Sequence, residues 1–335
     1  ALLPQQPDVV VLLDVPAMAA LAGLSGKAVA LPDGTTVTPD QLTEALLVDA
    51  YADAGEDVDV QLRRRAALQG AATAAVTRLL AGAVPAADAA RTVARLAGQR
   101  HLSVWSARAQ EQTALVELGL AGAVEAPPGG DLHHVSVNNV GANKLDYYVD
   151  RDLEVAVEVG QDVARVAQRV RFRNDAPAGL VPYVAGFDTP GLLVSLVEMS
   201  LPPAAEDPVV TVDGRPWRGT LHTGGDRQRV ITRVELPRGA QTVLEVRYAV
   251  RITEGRYVLR LVPQPLVTDA DLRLTVRASE GERMGTVTGA AAADGAVDVA
   301  EPLSRTEELV VELEPQHRSR WERVKHWWNS PVQLG

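Results

Sequence analysis

The chain contains no cysteine, which excludes a disulfide framework, a thiolate nucleophile and any cysteine-ligated metal site. Aromatic residues make up only 4% of its 335 residues, with two phenylalanines in all. A core therefore has to be built mainly from Ala, Val and Leu. Lysine is nearly missing as well: Lys27, Lys144 and Lys325 stand against 30 arginines. With abundant Ala, Val and Gly, that bias reads as the mark of a high-GC bacterial genome. No apolar run reaches the roughly 18 residues of a membrane-spanning helix. Basic charge is short overall, and the net charge of −10 argues against general nucleic-acid binding, which needs a basic footprint. No signal peptide stands at the front either. ALLPQQ runs at once into the strand-like DVVVLLD, a start expected of a processed or truncated product whose targeting segment lies upstream.

What is present suffices for a packed protein. Apolar residues make up 46% and charged residues 23%, and the length suggests two domains. Residues 1–150 alternate strand and helix. Asp8 to Leu13 is a continuous apolar run of the kind buried on both faces of a parallel sheet. Pro16 suits the first turn of a short Ala-rich helix. Asp33-Gly34 marks a hairpin, and Thr38-Pro39-Asp40-Gln41 is a capping box ahead of Leu42, Leu46 and Leu47. Helices are expected from about Gln61 to Leu80, from Pro85 to Leu96, and after Ser106, with strands at His101–Trp105 and Val135–Asn138. This half reads as a layered α/β domain.

From about Asp152 helical periodicity gives way to short runs of period-2 alternation, among them Leu153-Val155-Val157-Val159 and Val163 to Phe172. Turn signals such as Asp213-Gly214 and Pro237-Arg238-Gly239 separate them. Residues 151–315 are therefore expected to form an antiparallel β-sandwich. Residues 316–335 carry three of the five tryptophans. As a C-terminal helix they place Trp321, Val324 and Trp328 on one face. The favoured reading packs that helix on the body, with Trp321, Trp327 and Trp328 as docking residues; the other lays it in a membrane interface.

Four features are candidates for chemistry. Val135 to Arg151 gathers Asn138, Asn139, Asn143, Lys144, Asp146, Tyr147, Tyr148, Asp150 and Arg151 around Gly141. Asn and Gly after a strand can present donors to an anionic or sugar ligand, with Lys144 adding charge. An inter-domain corner whose polar groups bond across the joint is the favoured alternative. Arg63, Arg64 and Arg65 suit a phosphate or pyrophosphate, or simply a solvated helix face. Asp14 sits either at the ligand end of a parallel strand or, preferably, as a carboxylate at a helix N-terminus. His133 and His134, adjacent in a strand, face opposite sides and cannot jointly hold one metal. No HExxH, P-loop or GxSxG pattern occurs, so nothing reaches enzyme grade and no metal site is assigned.

The segments DVVVLLDVPAMAALAGLSG, LPDGTTVTPDQLTEALLVDAYAD, HLSVWSARAQEQTALVELGLAGAV, NNVGANKLDYYVDR, VPYVAG and the terminal WNSPVQLG together resemble the bacterial domain of unknown function 4012 family (DUF4012). The resemblance runs along essentially the whole chain. It implies an extracytoplasmic, membrane-anchored cell-envelope protein associated with surface polysaccharide, of unassigned activity. It also implies that an earlier segment, rich in Asn and Gly, precedes the first strand. More distantly, the order of strand, Ala-rich helix, hairpin, capped helix and Arg-rich helix start is similar to LytR-CpsA-Psr phosphotransferases, which implies an α/β domain that is incomplete here. By that likeness Arg63, Arg64 and Arg65 would lie near phosphates, and a divalent cation would be needed only for such an enzyme.

The expected fold is α+β with two domains, and the leading function is a non-enzymatic binding or scaffold module linked to exopolysaccharide assembly. Its partners would be a protein, the missing segment, a surface glycan or a lipid-linked glycan. One alternative is a glycopolymer phosphotransferase-like enzyme completed by the missing segment. The other is a subunit of an extracellular assembly, marked by an apolar patch at the Trp tail.

Overall fold

A computed structural model describes residues 7–24, 26–30, 35–51, 66, 69–70, 73, 77, 85–293 and 295–314. The first part holds β1 (Val9–Leu13), α1 (Val15–Gly23), β2 (Val29–Ala30), β3 (Thr36–Val37), α2 (Leu42–Leu47), α3 (Ala86–Gly98), β4 (Leu102–Ser106) and α4 (Ala109–Glu117), with a 3-10 turn at Asp49–Tyr51. Helix α1 starts where Asp14 Oδ1 accepts the Ala17 amide at 3.0 Å and Pro16 occupies the first turn. Its buried Ala17, Met18, Leu21 and Ala22 then face Leu42 and Leu46 on one side and Leu96 and Leu102 on the other. The capping box forms only in half. Gln41 reaches back to the Thr38 amide at 3.3 Å, but the Thr38 hydroxyl donates to the Gln41 side chain at 2.8 Å instead of capping an amide. Strands β2 and β3 pair as expected, while the tip of that hairpin, most of the 61–80 helix and the whole C-terminal helix lie outside the described residues.

Two expectations for this part are corrected. Strand β1 is not buried in a parallel sheet: it pairs antiparallel with β4 in a two-stranded ribbon, and Val9, Val11 and Leu12 are exposed. An apolar run therefore does not by itself choose between these settings, because its burial depends on what the rest of the chain lays over it. The boundary expected at residue 150 also moves. Strand β5 (Asp131–Asn139) precedes it, yet it is an inner strand of the second part.

That second part continues, after a 3-10 turn at Leu145–Tyr148, with β6 (Val149–Val159), β7 (Val163–Asn174), the short α5 (Pro182–Ala185), β8 (Leu193–Leu201), β9 (Ala205–Val212), β10 (Arg215–Pro216) and β11 (Thr220–His222). Then come β12 (Gln228–Leu236), β13 (Gln241–Arg251), β14 (Arg256–Val262), β15 (Asp271–Ala278), β16 (Met284–Thr288), β17 (Ala292–Ala293), β18 (Ala296–Pro302) and β19 (Glu307–Leu313). They form an eight-stranded sheet ordered β10-β9-β13-β7-β6-β15-β18-β17 and a seven-stranded sheet ordered β11-β12-β8-β5-β14-β19-β16. The chain is thus mixed α/β, mostly sheet, with two large sheets. One apolar core joins them, from Val155, Val166, Val246 and Leu274 on one sheet to Val197, Met199, Leu259 and Val311 on the other. Aliphatic side chains fill it, as the scarcity of Phe requires, each worth ~1.5–3 kcal/mol when fully buried.

The expectation of antiparallel pairing needs one correction. Most pairs are antiparallel, but β5 runs parallel to β14, and β6 parallel to β15. The cause is topological. Among the described residues the chain crosses from the seven- to the eight-stranded sheet five times, and two of these crossings, from β5 to β6 and from β14 to β15, lie side by side and run the same way. We call them the first and second arch.

Charge fixes the register on the outer face of the eight-stranded sheet. Along β7 the outward residues are Arg165, Ala167, Arg169, Arg171 and Arg173, and their partners on β6 are Glu158, Ala156, Glu154, Asp152 and Asp150. Every Arg meets an acid and the Ala meets an Ala. Ion pairs follow at each charged rung, for example Arg169 to Glu154 at 3.2 Å and Arg171 to Asp152 at 2.6 Å. A slip by two residues would set Ala167 against an acid and break the row.

Candidate functional site

The two arches and the helical part meet around one cleft of about 310 Å³. The first arch contributes Lys144, Asp146, Tyr147 and Arg151, the second contributes Gln264 to Thr268, and Asp14 to Pro16, Leu47 and Tyr51 close the far wall. Gln264 ties the arches together: its side-chain oxygen accepts the Val137 amide at 2.9 Å and its amide donates to the Val137 carbonyl at 3.0 Å. It thereby stands in for the next peptide of the β5–β14 ladder beyond Val262.

The first arch is shaped by its asparagines. Asn139 Oδ1 accepts the Gly141 amide at 2.9 Å, and its Nδ2 donates to Asn143 Oδ1 at 3.0 Å and to Asp146 Oδ1 at 2.7 Å. The buried Asn143 donates to the Leu192 and Gly141 carbonyls and accepts the Leu145 amide. Glycine is needed at 141, because a Cβ there would sit 2.9 Å from Asn143 Nδ2 and 3.1 Å from the Val194 amide. These bonds satisfy one another within the turn. The asparagines set the loop; they do not face the cleft.

The charges of the cleft come from elsewhere. Asp14 caps α1 with one oxygen and holds His101 Nδ1 at 2.6 Å with the other. Lys144 projects from an exposed turn and has no ion pair among the described residues. Arg151 is the unusual member. Period-2 alternation along β6 sets it on the same face as Val149, Leu153, Val155, Val157 and Val159, the face that carries the core. Its Nε is buried without a hydrogen-bond partner among the described residues. Burial holds its guanidinium below the ordinary arginine range, and the charge of Asp146 only partly opposes this. Tyr147 offers an exposed ring, set edge-on to Tyr148 at 5.1 Å.

A second polar cluster lies inside the sandwich. Asp131 is fully buried and accepts from Tyr257 at 2.5 Å, Tyr248 at 2.7 Å and the Leu132 amide at 2.7 Å. Burial pushes its carboxyl up to about 6 against the pull of those three donors. Gln168 Nε2 bonds the Tyr248 hydroxyl and the Leu132 carbonyl, so the network bridges both sheets. His133 and His134 do face opposite sides of β5. His133 lies in the core, where neither ring nitrogen finds a partner among the described residues, while His134 Nδ1 meets the Val262 carbonyl at 2.9 Å. Burial lowers both imidazoles to about 4. No group of three or more His, Asp or Glu is placed to hold a metal ion among the described residues.

Of the candidates read from sequence, Asp14 and Lys144 come together in the cleft. Asn139 and Asn143 shape its loop, and Asn138 lies exposed on β5, opposite Leu196. Strand β1 is antiparallel, so the ligand end of a parallel strand is not what places Asp14. Arg63, Arg64, Arg65, Trp321, Trp327 and Trp328 lie outside the described residues. Sequence reasoning undervalued Arg151. Carrying the Leu153-Val155-Val157-Val159 alternation back one step would have put a charge in a core row.

No family model and no curated protein matches the chain. Solved structures do. A proposed nutrient binding protein from Legionella pneumophila is similar over 60% of this chain and 78% of that one, at 9% identity and a TM-score of 0.35. An M1 zinc metallopeptidase from Deinococcus radiodurans covers 49% of this chain at 15% identity and a TM-score of 0.25, and leukotriene A4 hydrolase from Saccharomyces cerevisiae covers 48% at 8% and 0.29. This chain spans 42% and 28% of the length of those two proteins. Similarities this distant assign neither a family nor an activity.

Proposed function

We propose that this chain is an extracytoplasmic binding module of the cell envelope, linked to surface polysaccharide assembly, that takes a glycan in the cleft between the arches and the helical part. One observation carries the reading. The cleft sets the exposed Tyr147 ring beside convergent polar groups on Asp14, Lys144, Asp146 and Arg151. A ring for stacking on a sugar face, next to charged donors and acceptors for its hydroxyls, is the chemistry a saccharide needs. The envelope setting rests on the DUF4012 resemblance, and so does a LytR-CpsA-Psr-like origin for the part ahead of β5. The test is titration of the protein with a panel of neutral and acidic oligosaccharides. At least one should bind, and Tyr147→Ala should weaken it about tenfold; no binding across the panel overturns the reading.

A second reading, a subunit of an extracellular assembly, is favoured by β1. Leu12 and Trp105 share one face of the β1–β4 ribbon and both are exposed, an apolar pair of the kind that interfaces cover. In its test the wild-type protein should capture an envelope partner and Leu12→Glu should not, with glycan binding intact in both.

A further inference from the structure

We infer that the ligand of this cleft carries an oxyanion, a sugar carboxylate or a phosphate ester, and that Arg151 receives it. The inference rests on the glycan reading and names the ligand class more closely. It begins with the strand. Along β6 the core-facing row is apolar from Leu153 to Val159, so the same row places Arg151 where an aliphatic side chain would serve packing. A charge there loses water that something must replace. Within the protein the replacement is incomplete. Arg151 Nε is buried and unpaired among the described residues, and no ion pair to Arg151 closer than 4.0 Å occurs among them. Asp146 acts on it through its charge alone, with no hydrogen bond or ion pair between them among the described residues. A planar guanidinium held by a strand and opening on a cleft fits a carboxylate or phosphate in fork geometry. Lys144, on the rim of the same cleft, adds a second positive charge. Of the acids in the cleft, Asp14 is engaged through both oxygens, by the α1 amide and His101, and Asp146 through Oδ1 by Asn139. The opposing view is that Arg151 only packs its stem on the core and reaches for water with its head.

The experiment compares trigalacturonic acid with its methyl ester, and glucose 1-phosphate with glucose, by calorimetric titration of the full chain. The acid or the phosphate should bind at least tenfold more tightly than its neutral counterpart. Arg151→Gln should erase that preference, and Lys144→Ala should reduce it by a few-fold. Arg151→Met serves as the folding control, since it keeps the stem and removes the charge; under the inference it folds and loses the preference. A carboxylate preference without a phosphate preference, or the reverse, identifies which source the site takes. If neutral and acidic sugars bind equally, or if Arg151→Gln keeps the preference, the inference falls while the glycan reading stands. If no sugar binds but inorganic phosphate does so through Arg151, the oxyanion site stands and the glycan reading falls. No binding of any probe overturns both.

Discussion

The Tyr257 hydroxyl donates to Asp131 Oδ2 at 2.5 Å between neighbouring strands of the seven-stranded sheet, inside a mostly aliphatic core. Asp131 lies two residues before His133 on the same strand, and burial holds the His133 imidazole neutral. These groups titrate in opposite senses, and that sets how the fold answers to acid.

Asp131 is raised to about 6 in the folded state, so the folded form holds its proton more tightly than the unfolded chain. Its contribution is fully present below the ordinary carboxylate range and is lost as pH rises through 6. His133 and His134 are lowered to about 4, so their contribution is present above 6.5 and is lost as pH falls through 4. Two imidazoles outweigh one carboxyl, so stability should fall on acidification from pH 6.5 to 4. Urea unfolding at several pH values should show this fall. It should be steeper in Asp131→Asn, and in His133→Leu shallower by on the order of 3 kcal/mol. An equal slope in Asp131→Asn would contradict the assignment.

Asn143 should prove structural. Its side chain serves the Leu192 and Gly141 carbonyls and the Leu145 amide from a buried position. Asn143→Ala is expected to cost about 2–3 kcal/mol in denaturant unfolding. Glycan affinity of the folded fraction should stay within a factor of two.

Four consecutive carbonyls between the helical part and the sandwich are held by three arginines. Arg100 donates to Gly122 at 2.7 Å and Ala123 at 2.8 Å, Arg227 to Val124 at 3.0 Å, and Arg260 to Glu125 at 3.2 Å. Arg100→Ala should lower stability by about 2 kcal/mol. It should also speed amide exchange across 118–126 while leaving the centre of β6 and β7 protected. Uniform acceleration throughout would mean that the strap has no local role.

The charged rungs on β6 and β7 should count for register more than for stability. Arg169 is half exposed, so Arg169→Ala should cost under about 1 kcal/mol once solvent screening is allowed for. Arg169→Glu sets like charges against Glu154 and Glu245 and should cost more. Adding Glu154→Arg should recover part of that loss in a double-mutant cycle. No recovery would show that the two side chains do not communicate.

The strands after residue 152 were legible because period-2 alternation and turn residues are local signals. The helices α1 and α2 were legible from Pro16, the Thr38-to-Gln41 segment and the Leu42/Leu46 spacing. The asparagine corner was readable as a turn, since Asn and Gly favour bends through bonds to their own neighbours. Arg151 was harder to see, because a polar stretch hides the step at which a strand has already begun.

By itself, then, the sequence determined most of the strands after residue 152 and the helices α1 and α2, that the core is mostly aliphatic, and that no thiol chemistry is available. Those follow from side-chain size, backbone preference and composition. Tertiary structure decided the rest. It placed β5 inside the second part, made two pairs of strands parallel by laying the two arches side by side, and left β1 exposed. It also brought Asp14, Lys144 and Arg151 to one cleft although 137 residues separate the first from the last in the chain. Pairing partners and burial are properties of segments far apart along the chain, and no local pattern encodes them.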